Sequence, residues 1–171
     1  MKKSNARILF LTHAALIAAL YVVLTYIAFW LGISSGAVQV RFSEALTILP
    51  YFTPAAVPGL FVGCLLSNLL TGAAIPDIVF GSFATLLGAL LTAKFRRNKW
   101  FAPIPPILAN AVIIPPVLLF AYGIKPLWFS YITVTLGEII SCGVLGMLLL
   151  FALEKSMKQF FAEQPFAYTV K

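Results

Sequence analysis

Five carboxylates occur in 171 residues, and three of them, Glu44, Asp77 and Glu138, stand in or beside long apolar runs. Gln39, Arg41 and Glu44 fall within six residues of one another, and Asn68 lies inside a later apolar run. An ionised side chain at hydrocarbon depth costs about 2.5–3.5 kcal/mol on insertion scales, so such groups turn towards a cavity or a partner. Carboxylates accept paired N–H donors, whereas arginine and carboxamides donate to carbonyl oxygens. Together these residue types suit recognition of a small polar molecule. Taken singly, each also has a structural reading, and Arg41 and Glu44 could simply bridge each other. Trp30, Trp128, Phe129 and Tyr131 could cover a pocket, or the two tryptophans could be interfacial belt residues.

Other chemistries lack candidates. No G-x-x-x-x-G-K-[ST] phosphate loop is present, so the chain is not expected to hydrolyse ATP itself. One histidine and two widely separated cysteines give no metal-ligand spacing. No nucleophile, base and orienting group stand out as a catalytic set. Cys64 and Cys142 read as small residues at helix contacts, and His13 as a packing residue. Binding is the chemistry that remains.

The elements that would position these groups are membrane helices. The chain is 61% hydrophobic and 10% charged, with mean hydropathy +1.00, against about 25% charged residues in soluble domains. Its apolar runs are continuous rather than alternating, which favours helices over a β-barrel. The net charge of +7 is concentrated: ten of twelve basic residues form three clusters, Lys2/Lys3/Arg7, Lys94/Arg96/Arg97/Lys99 and Lys155/Lys158/Lys171. Clusters that flank apolar runs mark the cytoplasmic side, so no nucleic-acid partner is expected. The first run is too long for a signal-peptide core of about 7–15 residues and is expected to remain as a span.

In chain order, Ile8–Leu31 is 24 residues, roughly 36 Å of helix. Within it, Ala14/Ala18 and Ala15/Ala19 form two small-xxx-small pairs that let another helix approach closely. A turn-rich loop, 32–40, precedes Ser43-Glu44, which could cap and open a helix ending near Pro50–Tyr51. Pro54–Thr71 reads as the next helix, with Gly59, Gly63 and Ser67 on one face. Parity constrains the count. The amino terminus and the Lys94–Lys99 cluster both belong inside, and Ile8–Leu31 and Ile75–Ala93 each cross once. The 29 residues Ser43–Thr71 must therefore cross twice or not at all, and two short spans are expected. Ile75–Ala93 opens with Pro76-Asp77 and carries Gly81, Ser82, Thr85, Gly88 and Ala89 on a small-residue face. Pro103–Tyr122 is interrupted by Pro115-Pro116 and contains Asn110. Leu127–Phe151 places Glu138 near its middle. The expectation is one all-α membrane domain, residues 1–155, with spans near 8–31, 43–53, 54–72, 75–94, 103–122 and 127–152. Both termini would be cytoplasmic, and 156–171 would form a cytoplasmic tail.

The stretch QVRFSEALTILPYFTPAAVPGLFVGCLLSN, followed by PDIVFGSFATLLGALL, resembles the QueT family of queuosine-precursor transporters. The size, the six expected helices, the Ala-x-x-x-Ala face and the missing ATPase resemble the S-components of energy-coupling factor (ECF) importers. The resemblance implies a substrate-binding subunit of the cell membrane. It would capture queuine or a precursor, a 7-deazaguanine, outside and dock on a transmembrane coupling subunit with two ATPases. It would carry no cofactor, since ATP is used by those partners. Ala14, Ala15, Ala18 and Ala19 match the docking motif. The substrate residues would be Gln39, Arg41, Glu44, Asn68, Asp77, Trp128 and Glu138, with Glu138 or Asp77 on the guanine edge and a second carboxylate neutralising an amine.

Three other readings stand beside this one, two of them from another class. A membrane-embedded enzyme would use Glu44, Glu138 and His13. A solitary transporter would use Glu138 as a proton carrier. An S-component for another vitamin would keep the architecture and change the ligand.

Overall fold

The computed structural model describes residues 3–32 and 40–162. Gln39 and the tail beyond residue 162 lie outside the described residues. All the regular structure described is helical. Helix α1 is Lys3–Trp30 and α2 is Ala56–Leu70; between them lies a 3-10 segment, Phe42–Tyr51. Helices α3, Ile75–Lys94, and α4, Ile104–Tyr122, flank a short turn at Lys99–Phe101. Helix α5, Leu127–Glu138, runs through a π stretch, Ile139–Leu145, into α6, Gly146–Ala162. Among the described residues, four stretches are long and apolar enough to cross a membrane: Asn5–Trp30, Ile75–Lys94, Lys99–Tyr122 and Leu127–Lys155.

Small residues set the helix contacts. A Cβ on Gly59 would meet the Ala14 carbonyl oxygen at 2.7 Å, and one on Gly63 would meet Tyr21 Cβ at 2.7 Å. Helices α1 and α2 therefore touch backbone to backbone, as expected where close packing rather than hydrophobic transfer holds helices together. Ala14 and Ala18 are consumed by this contact and are buried, whereas Ala15 and Ala19 are exposed. The two alanine pairs thus point to different surroundings. On α3, the expected face of Gly81, Ser82, Thr85, Gly88 and Ala89 is buried throughout. A Cβ on Gly88 would stand 2.7 Å from Pro106 Cα, which seats α3 directly on α4.

The 42–51 segment departs most from expectation. It is 3-10 rather than α, and Arg41, not Ser43, occupies the N-cap without a side-chain capping bond. The Ser43 hydroxyl instead pairs with Thr25 Oγ1 at 2.9 Å. Every residue from Ser43 to Tyr51 is buried, packed among α1, α2, α3, α6 and the π stretch. At about 2.0 Å of rise per residue, ten residues reach roughly 20 Å, short of the ~30 Å hydrocarbon layer. The segment fills the middle of the bundle instead of forming part of its lipid-facing wall. Polar Ser43, Glu44 and Thr47 favour that interior position, where their bonds are met by other helices. Close passage needs a small partner here too: a Cβ on Gly146 would lie 3.1 Å from Ile48 Cγ2.

Two further differences concern helix continuity. Helix α4 continues through Pro115 and Pro116, where an interruption was expected. The expected last span is divided at Glu138, where the π stretch begins. Such π insertions widen a helix by one residue per turn and recur at functional sites. Tyr21, Ile48, Phe52, Leu60 and Leu150 form the main apolar core, and Ala84, Ile114, Leu118 and Val134 a smaller one. An ion pair at 3.0 Å between Lys99 and Glu154 ties the basic loop to α6.

Candidate functional site

At one end of the bundle the turns after α2 and α4 bring polar groups together. Gly72 (φ +72°) and Gly123 (φ +66°) adopt left-handed turns that most residues resist. The turn after α2 presents the Ala74 N–H to the Tyr122 hydroxyl at 2.9 Å. That hydroxyl donates in turn to Asp77 Oδ2 at 3.2 Å. Asp77 is 4% exposed, and its Oδ1 has no hydrogen-bond partner. Gly81 lies beneath it, where a Cβ would come 3.2 Å from Asn68 Nδ2 and 3.5 Å from Asp77 Oδ1. A donor amide and an unpartnered carboxylate oxygen therefore converge over a residue with no side chain. The cavity they face is about 320 Å³ and is also lined by Arg41, Thr71, Tyr122 and Phe29, at the lower end of small-molecule pockets.

Deeper in the bundle, Glu44 is 2% exposed. Its Oε1 accepts a hydrogen bond from the Tyr21 hydroxyl, while its Oε2 has no partner. Cys142, in the π stretch, donates to Glu138 Oε2 at 3.1 Å and lies 3.5 Å from the Glu44 carbonyl oxygen. Donor atoms of Glu44, Glu138 and Cys142 all fall within 4.8 Å of one another. They border a small chamber of about 20 Å³, together with Arg41, Thr85 and Asn110. Arg41 lines both this inner chamber and the outer cavity. Its backbone N–H is anchored on Ser141 Oγ at 3.1 Å. Among the described residues it forms no ion pair, so the alternative of a local Arg41–Glu44 bridge is not what is found.

The structure thus gathers Arg41, Glu44, Asn68, Asp77 and Glu138 about two adjoining spaces. Gln39 lies outside the described residues. Trp128 is 63% exposed, stacks edge-on against Phe129 and lines neither space. Trp30 and Tyr131 are likewise exposed and line neither. The aromatic faces actually present are Phe29 and Tyr122. Tyr21, Thr85, Asn110 and Tyr122 were not legible as site residues. Asn110 carries the one available signal, a carboxamide within an apolar run, because a buried amide requires partners. A larger groove of about 500 Å³ between α3 and α4 is lined only by apolar side chains such as Leu87, Phe95 and Leu108. It offers nothing to orient a polar ligand.

The sequence pattern of the QueT transporter family matches residues 11–155. The chain is also similar to the protein named "Queuosine precursor transporter QueT" of Lactococcus lactis subsp. cremoris (strain MG1363). The two are 29% identical over 139 residues, covering 74% of this chain and 82% of the relative. No solved structure matches the chain. The family match extends from α1 into α6 and includes every residue bordering the two spaces. The chain therefore belongs to the QueT transporter family: it is a multi-pass membrane transport protein and not an enzyme.

Proposed function

We propose that this chain is the substrate-binding subunit of an ECF-type importer, and that it captures queuine or another queuosine precursor outside the cell. One observation carries the reading of the site: Asp77 Oδ1 is buried without a partner beside the Asn68 amide in a cavity of ligand size. A 7-deazaguanine presents N1–H and N2–H₂ as parallel donors, which one carboxylate accepts together, and O6 as an acceptor for an amide. Bonds to a charged acceptor are about twice as strong as neutral ones. This favours Asp77 over Glu138 as the reader of the ring edge, with Asn68 or Arg41 on O6 and Phe29 against the ring. The relative from Lactococcus lactis, named for queuosine precursors, supports the ligand class.

In this reading the domain spans residues 1–155, both termini are cytoplasmic, and 156–171 form a tail. Helix α2, with 15 residues, and the buried 42–51 segment lie between the long helices α1 and α3 and together return the chain through the bundle. The energising module, a coupling subunit and two ATPases, docks on the exposed α1 surface that includes Ala15 and Ala19. Ala14 and Ala18 act from behind, by holding α1 to α2.

Calorimetric titration of the purified chain with 7-deazaguanines, and with riboflavin as a control, tests the substrate. Tight binding of a deazaguanine that is lost in Asp77→Asn supports it; a folded protein that binds none sinks it. Uptake in vesicles tests the coupling. Accumulation that requires the module and ATP supports an S-component, whereas accumulation by the chain alone, driven by a proton gradient, would make it a solitary transporter.

A further inference from the structure

The apolar groove between α3 and α4 takes no part in the polar site, and what stands at its end sets it apart from an ordinary lipid-facing surface. Leu87, Leu91 and Phe95 line it from the α3 side, and Ile104, Leu108 and Val112 from the α4 side. From Leu87 to Phe95 it follows roughly 12 Å of helix, close to half of a ~30 Å hydrocarbon layer, so it lies within one leaflet. Phe95 and Phe101 line the end that meets the basic loop. There Lys94 Nζ stands 6.0 Å from the centroid of the Phe95 ring. Lys94 and Arg97 are exposed. Among the described residues the ion pair of this cluster is Lys99–Glu154, and neither Lys94 nor Arg97 pairs with a carboxylate. Trp100, in the same loop, is 61% exposed, as suits an indole at headgroup level.

We propose that the groove and the adjoining basic loop form a site for an anionic phospholipid, with an acyl chain lying between Leu91 and Leu108 and the phosphate held by Lys94 and Arg97. An apolar channel with positive charge at one end matches an amphiphile with negative charge at one end, and basic pockets between membrane helices bind such headgroups. The arginine fork suits phosphate oxygens in pairs. A zwitterionic lipid fills the groove equally well but brings its own ammonium towards these cations, so charge selects the headgroup. A wholly apolar partner helix would leave the two cations unused. The inference is independent of which molecule the outer cavity takes.

Native mass spectrometry of the intact chain, reconstituted with equal amounts of phosphatidylglycerol and phosphatidylcholine carrying the same acyl chains, reads the site. Retained phosphatidylglycerol is expected to exceed phosphatidylcholine by about tenfold or more, the scale of two basic side chains near an anionic headgroup. Lys94→Gln combined with Arg97→Gln should bring that ratio within about threefold. Both positions are exposed, and an unchanged unfolding midpoint in detergent verifies the fold. Leu108→Trp, at a groove position 58% exposed, should reduce retained phosphatidylglycerol about fivefold with both cations intact. Equal retention of the two lipids, or a preference that survives removal of the cations, would overturn the site. A preference lost with the cations but untouched by Leu108→Trp would reduce it to adsorption on the loop, as would displacement of the lipid by glycerol phosphate, which has the charge and no chains. A photoreactive residue in place of Leu108, in membranes that contain the energising module, is expected to label lipid. Labelling of a partner protein or of a second copy instead would assign the groove to that occupant and overturn the proposal.

Discussion

The Tyr21 hydroxyl, on α1, donates a hydrogen bond to Glu44 Oε1 in the buried 42–51 segment. Tyr21 is 1% exposed and Glu44 2%, so water cannot replace either partner. This bond holds one carboxylate oxygen, while the other is buried without a partner. Tyr21→Phe should destabilise the protein by about 1.5–3 kcal/mol, the usual worth of a hydrogen bond to a charged group. Thermal unfolding in detergent measures it; an unchanged midpoint would mean that Glu44 finds another donor.

Helix contacts through glycine lead to an ordered set of outcomes. Gly63→Ala and Gly88→Ala each drive a methyl to 2.7 Å from a neighbour, and overpacking of this kind costs about 1–3 kcal/mol. Gly143→Ala should be tolerated, since its nearest contacts are at an ordinary 3.8 Å. Comparing the three unfolding midpoints checks the ranking.

The two alanine pairs of α1 should separate experimentally. Ala14→Leu and Ala18→Leu enlarge buried positions against α2 and should lower stability by about 1–3 kcal/mol. Ala15→Leu and Ala19→Leu change exposed positions and should leave folding and ligand affinity unchanged while impairing module-dependent uptake. Normal uptake by the second pair of variants would move the docking surface elsewhere.

At the outer cavity, Asp77→Asn should weaken deazaguanine binding by about tenfold or more, because a charged acceptor is worth about 1.5–3 kcal/mol. Tyr122→Phe keeps the ring but removes the hydroxyl that orients Asp77 Oδ2 and accepts from the Ala74 N–H, and a smaller loss is expected. Calorimetry ranks the two; a Tyr122 effect larger than that of Asp77 would argue against Asp77 as the ring reader.

Trp128 provides a contrast. It is exposed and lines neither polar space, so Trp128→Ala should leave affinity within about twofold, well under 1 kcal/mol. A large loss would place Trp128 over the ligand through a closure that this conformation does not contain.

Local pattern was sufficient for much of the fold. Continuous apolar runs fix a helical membrane protein, because only helices satisfy every backbone group within one segment. Small residues marked the contact faces of α2 (Gly59, Gly63 and Ser67) and α3 (Gly81, Ser82, Thr85, Gly88 and Ala89), and both are buried. Expensive polar groups inside such runs marked candidate site residues, and Arg41, Glu44, Asn68, Asp77 and Glu138 line two adjoining spaces. Periodicity says which residues share a face but not what that face meets. Only tertiary packing decided that Ala14 and Ala18 turn inward while Ala15 and Ala19 do not. Likewise, Pro50 and Pro54 signalled a break, but burial among neighbouring elements made 42–51 a central 3-10 plug. The meeting of Glu44 with Glu138 and Cys142 joins groups up to 98 residues apart. No local signal encodes such a contact, since it exists only once the 42–51 segment and the π stretch lie side by side.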